Sequence, residues 1–260
     1  MKNAMIFAAG LGTRLKPYTD HCPKAMVEVA GRPMIAHQLE KLRKAGFNRV
    51  VINVHHYAEQ IIDYVNANNG FGLHVAFSDE RGQLLDTGGG IRKALPLFAP
   101  DSPVLIHNVD IFSDADLEAL YKNHIDVGAD ASLLVSERNT SRYFVFDDEN
   151  RLMGWKNIQT GEVRTSCDEL KPVLECLTTD YERYRLRAFS GIHVISPTLF
   201  PLLEQQGEVF SITNFYWQNS QQRDIRCMEA PKGFQWVDAG KPEALKRAEE
   251  IVGNRAHLKL

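Results

Sequence analysis

From the N-terminus to about Val135 the chain alternates short apolar runs with amphipathic stretches. The runs AMIFAAG, RVVINVHH, LHVAFSD, PVLIHNVD and ASLLVSE are almost continuously apolar, a pattern that predicts strands buried on both faces. Between them, RPMIAHQLEKLRKAG places Met34, Ile35, Leu39 and Leu42 on one helical face, with Pro33 suited to a first turn. YAEQIIDYVNANNG does the same with Tyr57, Ile61 and Val65 before an Asn/Gly stop. Strands and helices in alternation predict an α/β fold: a doubly wound, mainly parallel sheet flanked by helices.

The alternation breaks after about Arg138. Charged, strand-like segments and a long loop, NIQTGEVRTSCDELKPVLECLTTDYERYR, replace it and predict a small lobe. A strand, AFSGIHVIS, follows, with Pro197 opening a helix, and then SITNFYWQNSQ reads as a helix with Ser211 as its cap. FQWVDAGKPEALKRAEEIV closes the chain as a short strand, a turn and an amphipathic helix. With no repeat or low-complexity linker, residues 1–260 read as one domain, divided near residue 137 into a regular half and a lobe with a closing strand.

Composition narrows the function classes. The chain has 260 residues, 44% of them hydrophobic, enough to bury a sizeable core. A net charge of −3 offers no general excess of cations for a nucleic-acid backbone, so any positive field is local. Cys22, Cys167, Cys176 and Cys227 form no CxxC pair and no dense framework, which fits a reducing compartment. The first ten residues lack a signal-peptide pattern and no stretch approaches membrane-spanning length, so a cytoplasmic, membrane-free protein is expected.

The candidate chemistry sits at strand ends, where ligands of open α/β sheets bind. After the first strand comes AAGLGTRLKPYTDHCPKAM. It lacks the third glycine of a dinucleotide fingerprint, Leu15 standing in its place, and it lacks the Gly-Lys-Ser/Thr of a P-loop. It carries Arg14, Lys16 and Lys24 with Asp20 alone against them, which makes it a basic anion-binding loop or a glycine turn with solvated cations. Asp110 follows VLIHNV and Asp238 follows FQWV. Carboxylates on neighbouring strand ends suit a hard cation such as Mg²⁺, although either alone is also an ordinary turn or helix cap. In LLDTGGGIRKALPLF three glycines stand where a helix should start. Backbone amides there, with Thr87 and Gly88 in front, could hold a base edge or ribose, or the glycines could form a permissive loop. His55 and His56 lack a third ligand at metal spacing and take no role. Trp155, Trp217 and Trp236 read as packing residues before sugar platforms.

Taken together, FAAGLGTRLKPYTDHCPKAMVEVAGRPMI resembles the N-terminal signature of the sugar-1-phosphate nucleotidyltransferases, G-x-G-T-R-L-x-P-x-T followed by P-K. The resemblance continues in family order through DTGGGIRKAL, HNVDIF, FSGIHVIS and WVDAGKPEAL. It implies a Rossmann-like mixed sheet with a nucleotide half over 1–137 and a sugar-phosphate lobe with a closing metal strand over 138–260. It implies Arg14 and Lys24 as the catalytic cations and Asp110 and Asp238 as Mg²⁺ ligands. Gly10, Leu11, Gly12, Thr13, Thr87 and Gly88 would be nucleotide contacts, and Asn108, Asn157 and Gly191 would be sugar contacts. The chain departs from many relatives at Val109, where glycine is common, at Lys156 and Asn157, where Glu-Lys-Pro is common, and at Lys241.

The partners implied are a nucleoside triphosphate and a sugar 1-phosphate. The triple glycine and short length resemble the N-acetylmuramic acid 1-phosphate uridylyltransferase branch, pointing to UTP as donor. Mannose- or heptose-1-phosphate guanylyltransferases share much of the pattern, and a phosphocholine cytidylyltransferase would share the N-terminal loop. A non-catalytic nucleotide-sugar sensor would keep the fold without the joint presence of Arg14, Lys24, Asp110 and Asp238.

Overall fold

The apolar runs become strands whose alternate side chains enter two different cores. In the computed structural model, which describes residues 1–257, the elements in chain order are β1 (Asn3–Phe7), β2 (Glu28–Val29), β3 (Arg32–Pro33), α1 (Met34–Lys44), β4 (Arg49–Val54), α2 (Ala58–Ala67), β5 (His74–Asp79), α3 (Asp86–Ala94), β6 (Val104–Asn108), β7 (Ile111–Ser113) and α4 (Leu117–Val127). There follow β8 (Ala131–Ser136), β9 (Arg142–Phe146), β10 (Leu152–Asn157), β11 (Val163–Arg164), α5 (Lys171–Cys176), β12 (Arg185–Ile195), α6 (Phe200–Glu204), α7 (Ile212–Asn219), β13 (Ile225–Glu229), β14 (Trp236–Asp238) and α8 (Pro242–His257).

Among the described residues ten strands form one mixed sheet in the order β11-β10-β9-β12-β6-β1-β4-β5, with β8 pairing to both β12 and β13. The β6-β1-β4-β5 run is parallel throughout. β12 enters antiparallel to β6, β8 and β9, so the second half of the chain completes the sheet of the first. Ala4, Ile6, Val50, Ile52 and Leu105 face one core with α1, α2, α4 and α8. Met5, Val51, Val104 and Ile106 face the other, with α3, α6 and α7. This two-residue alternation, covered on both sides, is the doubly wound arrangement expected from the pattern. Each fully buried Leu, Ile or Met there contributes about 1.5–3 kcal/mol relative to exposure.

Three local readings change. Helix α1 starts at Met34, with Pro33 at its cap position and also in β3. Ser211 stands at the cap of α7 but its side chain makes no capping bond. Instead Thr87 Oγ1 accepts from the Ile212 amide at 3.0 Å, while the Ser211 hydroxyl pairs with that of Thr213. The segment expected as a long loop contains β11 and α5, because Leu174 and Leu177 bury themselves against Val145 and Leu186 in a third apolar cluster. Its apolar residues are too few, and too close to Pro172, to have shown a helical period. No helix among the described residues is long and apolar enough to cross a membrane.

Candidate active site

A short ladder brings the two strand-end carboxylates together. β7 begins directly after Asp110, and β14 pairs with it antiparallel so that Asp238 lies opposite Ile111. The Ala239 amide then donates to the Asp110 carbonyl at 2.9 Å. From the other side, Gln38 of α1 donates from Nε2 to the carbonyls of Val109 (3.2 Å) and Ile111 (2.9 Å), bracketing Asp110. Gln38 is buried, so its side chain satisfies backbone acceptors that would otherwise be left without partners in the core. Both backbone segments carrying carboxylates are thereby held by hydrogen bonds.

The cations of the N-terminal loop meet these carboxylates. Lys24 Nζ donates to Asp110 Oδ2, and Arg14 Nη2 lies 3.6 Å from Asp238 Oδ2. Gly240 marks the centre: a Cβ on it would stand 2.7 Å from Asp238 Oδ1, 2.9 Å from Arg14 Nη2 and 3.0 Å from Asp110 Oδ2. Any side chain at 240 would therefore occupy the space between the charges. Burial pushes the Asp110 carboxyl up from its usual range, Lys24 opposes this, and the neighbouring Asp238 charge adds to it. For Asp238 burial also pulls upward, but hydrogen bonds from Asp110 and the Gly240 amide, with Lys24 and Arg14 nearby, hold it below. Two carboxylates with opposed shifts in one site are a pair that shares its negative charge poorly.

The loop that carries Arg14 is shaped by Gly12. Its φ of 65° is left-handed, and a Cβ there would meet Thr19 at 2.9 Å and Lys24 at 3.1 Å. Its carbonyl accepts from the Leu15 amide and the Thr19 hydroxyl, both at 2.9 Å. Gly10, Leu11 and Thr13 remain exposed along the loop. Below it Asn53 Oδ1 accepts from the Ala8 amide at 2.7 Å, while Asn53 Nδ2 donates to Glu80 Oε1 at 2.7 Å. Glu80 is buried, which raises its carboxyl against the hydrogen bonds from Asn53 and Leu85. This network ties the β1 loop to the segment before α3.

The triple glycine serves a close approach of two chain segments. The Gly88 and Gly89 amides both donate to the Phe210 carbonyl, at 2.8 and 3.2 Å, so these donors are already engaged. A Cβ on Gly88 would lie 2.3 Å from the Phe210 ring, and one on Gly89 would lie 2.1 Å from the Glu208 carbonyl oxygen. Thr87, as noted, caps α7. The expectation of free amides for a base edge is corrected accordingly: the backbone of the Phe210 segment takes them.

Asn108 and Gly191 are neighbours, since a Cβ on Gly191 would stand 3.0 Å from Asn108 Nδ2, and Gly191 has a φ of 72°. Asn157 lies in the lobe, in a cleft of about 490 Å³ whose floor includes Arg142, Phe144 and Trp155. Its Oδ1 accepts from the Gln159 amide at 3.0 Å and shapes the turn into β11. Lys156, next to it, points the other way: its Nζ donates to the carbonyls of Leu174 and Glu175, each at 2.7 Å, at the end of α5. At the cleft's inner edge Arg138 stacks on Trp236 at 3.8 Å and donates to the Phe189 carbonyl at 2.7 Å.

The sequence pattern does not single out Gln38, Asn53, Arg138 or Gly240. Gln38 left a trace, a polar residue on the apolar stripe between Ile35 and Leu42. Gly240 left another, a glycine two residues after a strand-end carboxylate.

The profile of the nucleotidyl transferase family matches residues 3–154. N-acetylmuramate alpha-1-phosphate uridylyltransferase of Neisseria meningitidis serogroup B is 41% identical over 251 residues, covering 96% of this chain and 98% of its own. The protein of that name from Caulobacter vibrioides is 31% identical, covering 95% and 96%. In fold, the chain is similar to HddC from Yersinia pseudotuberculosis in its complex with GMP-PN, with a TM-score of 0.71 at 21% identity over 96% of this chain and 99% of that one. With a family profile over more than half its length and relatives matching it nearly end to end, the chain belongs to the nucleotidyl transferase family, among its sugar-1-phosphate nucleotidyltransferases.

Proposed function

We propose that the chain transfers a uridylyl group from UTP to N-acetylmuramic acid 1-phosphate, releasing pyrophosphate. The observation that carries the chemistry is the convergence of Arg14, Asp110 and Asp238 on one point beside Gly240. The choice of substrates is supported by the two relatives of 41% and 31% identity, both N-acetylmuramate alpha-1-phosphate uridylyltransferases of nearly this length.

A phosphate oxygen of the acceptor attacks the α-phosphorus of UTP in line. A P–O bond forms there, the bond to the β-phosphate's bridging oxygen breaks, and pyrophosphate leaves with its charge. No protein nucleophile is needed, because the acceptor phosphate is already ionised at neutral pH, so positioning and charge neutralisation dominate. Gly10, Leu11, Gly12 and Thr13 present backbone to the nucleotide, with Thr87 and Gly88 bounding it by shape, since their amides already donate to Asp86 Oδ1 and the Phe210 carbonyl. Arg14 and Lys24 offset the charge shared between the α-phosphate and the leaving group. Asn108, Gly191 and Asn157 line the acceptor side.

Asp110 and Asp238 are fitted to Mg²⁺. They offer hard oxygen donors, and their opposed carboxyl shifts mark a site that a cation would relieve. No cluster of three His, Cys, Asp or Glu side chains suited to a metal exists among the described residues, which leaves the remaining positions to phosphate oxygens and water. Bound there, Mg²⁺ supplies positive charge to the reacting phosphates. Four free thiols agree with a cytoplasmic site of action. The test is pyrophosphate release with UTP, N-acetylmuramic acid 1-phosphate and Mg²⁺: turnover supports the reading, and its absence with folded protein overturns it.

A further inference from the structure

The lobe cleft carries more positive charge than a neutral sugar needs. Arg138, Arg142 and Arg164 line it against a single acidic side chain, Glu162. Glu162 is paired with Arg164, whose Nε and Nη2 both reach its Oε1 at 2.8 and 2.7 Å, while Arg164 Nη1 donates to Asn214. Two guanidinium groups, those of Arg138 and Arg142, form no ion pair among the described residues. Arg138 sits on Trp236, two residues before Asp238, and its buried Nε has no hydrogen-bond partner among the described residues. Its place beside the metal strand matches the acceptor's 1-phosphate. Arg142 lies farther out, opposite Asn157 across the β9–β10 ladder, and its guanidinium makes no hydrogen bond or ion pair among the described residues.

Next to the Arg142–Asn157 rung, Phe144 pairs with Trp155 across the same ladder and presents an apolar floor. The cleft thus offers one apolar platform and two separate cation positions. A plain hexose 1-phosphate has one anionic group. N-acetylmuramic acid 1-phosphate has two, the phosphate and the carboxylate of its lactyl ether. A guanidinium matches a carboxylate in both charge and fork geometry, and such a bond is stronger than one between neutral groups.

We infer that Arg142 is the specificity-determining residue that reads the lactyl carboxylate of the acceptor, with Arg138 reserved for the 1-phosphate. This rests on the acceptor proposed above. Arg142 touches substrate away from the reacting atoms, so its removal weakens binding in ground and transition state alike: KM rises and kcat holds.

The experiment compares N-acetylmuramic acid 1-phosphate with N-acetylglucosamine 1-phosphate, which lacks only the lactyl ether, each with UTP and Mg²⁺. Wild type is expected to prefer the carboxylated acceptor. Arg142→Gln is expected to lower kcat/KM for it roughly 10- to 100-fold more than for N-acetylglucosamine 1-phosphate, the scale of one lost charge-assisted hydrogen bond, with Arg142→Lys recovering part of the difference. Arg142 is exposed at the start of β9, so both variants keep the core intact, which a melting curve checks. A wild-type preference that survives Arg142→Gln overturns this inference and leaves the acceptor reading standing. Equal losses on both acceptors also overturn it. A wild type that prefers N-acetylglucosamine 1-phosphate overturns the acceptor reading itself.

Discussion

Lys24 and Asp110, 86 residues apart in the chain, form a salt bridge in which both side chains are largely withdrawn from water. Such a pair is costly to break on one side, because the remaining charge stays buried without a partner. Asp110→Asn preserves size and one acceptor but removes the charge. Turnover is expected to fall at least a hundredfold in Asp110→Asn and in Asp238→Asn, with far-UV circular dichroism unchanged. Pyrophosphate release at wild-type rates by either folded variant would remove that residue from the metal site.

Lys24→Ala and Arg14→Ala separate anchoring from catalysis. If the cations hold charge that develops only as pyrophosphate leaves, kcat falls by roughly a hundredfold. Steady-state kinetics at saturating UTP reads this directly. A rise in KM with unchanged kcat would make them phosphate anchors.

Gly240→Ala inserts one methyl group within 3.0 Å of Asp238, Arg14 and Asp110 together. The expected result is a loss of kcat of one to two orders of magnitude, since misplacement by about 1 Å in a reacting geometry can cost 10²-fold. The melting temperature should fall modestly, because exposed Arg14 can withdraw whereas Asp238 Oδ1, held by the Gly240 amide, and buried Asp110 must shift. A fully active Gly240→Ala would show that the carboxylates need no open space between them.

The two glycines at the start of α3 should respond differently. A methyl on Gly88 meets the Phe210 ring, whereas one on Gly89 meets backbone at Glu208. Overpacking of this kind costs about 1–3 kcal/mol. Phe210→Ala is therefore expected to relieve Gly88→Ala and to leave Gly89→Ala uncorrected in urea-melt double-mutant cycles. Equal relief of both would mean the backbone approach is looser than described.

His193 supplies a pH signature. It is fully buried, neither ring nitrogen has a hydrogen-bond partner among the described residues, and burial pushes its pKa from 6.5 down to about 3. The unfolded chain takes up this proton first, so the stability associated with neutral His193 is whole above pH 6.5 and is lost as pH falls toward 3. The slope approaches about 1.4 kcal/mol per pH unit between those limits. His193→Leu is expected to flatten the acid limb of a stability-versus-pH curve by that much. An unchanged limb would mean that His193 keeps its proton when folded.

The near-continuous apolar runs AMIFAAG and RVVINVHH, alternating with amphipathic helices, are enough to foresee the parallel sheet, because burial on both faces leaves a dense apolar run. The loop cations and both strand-end carboxylates were legible as residue types at strand ends, and family resemblance joined them. What joined them in space was not legible. The register that sets Asp238 opposite Ile111 depends on three-residue strands, too short to show a pattern. Gln38 and Asn53 work through hydrogen bonds to backbone far along the chain, which leave no local periodicity. The triple glycine was seen, but its reason was a partner segment 120 residues away.

The most direct measurement of the central reading is initial-rate pyrophosphate release from each of UTP, GTP, CTP and dTTP against N-acetylmuramic acid, N-acetylglucosamine, mannose and glucose 1-phosphates and phosphocholine, with Mg²⁺. UTP with N-acetylmuramic acid 1-phosphate is expected to give the highest kcat/KM, at least tenfold above every other pairing, and to fall away on addition of a chelator. A faster GTP or CTP reaction would contradict the donor assignment. Release from no pairing by folded, Mg²⁺-supplied protein would contradict uridylyl transfer at this site.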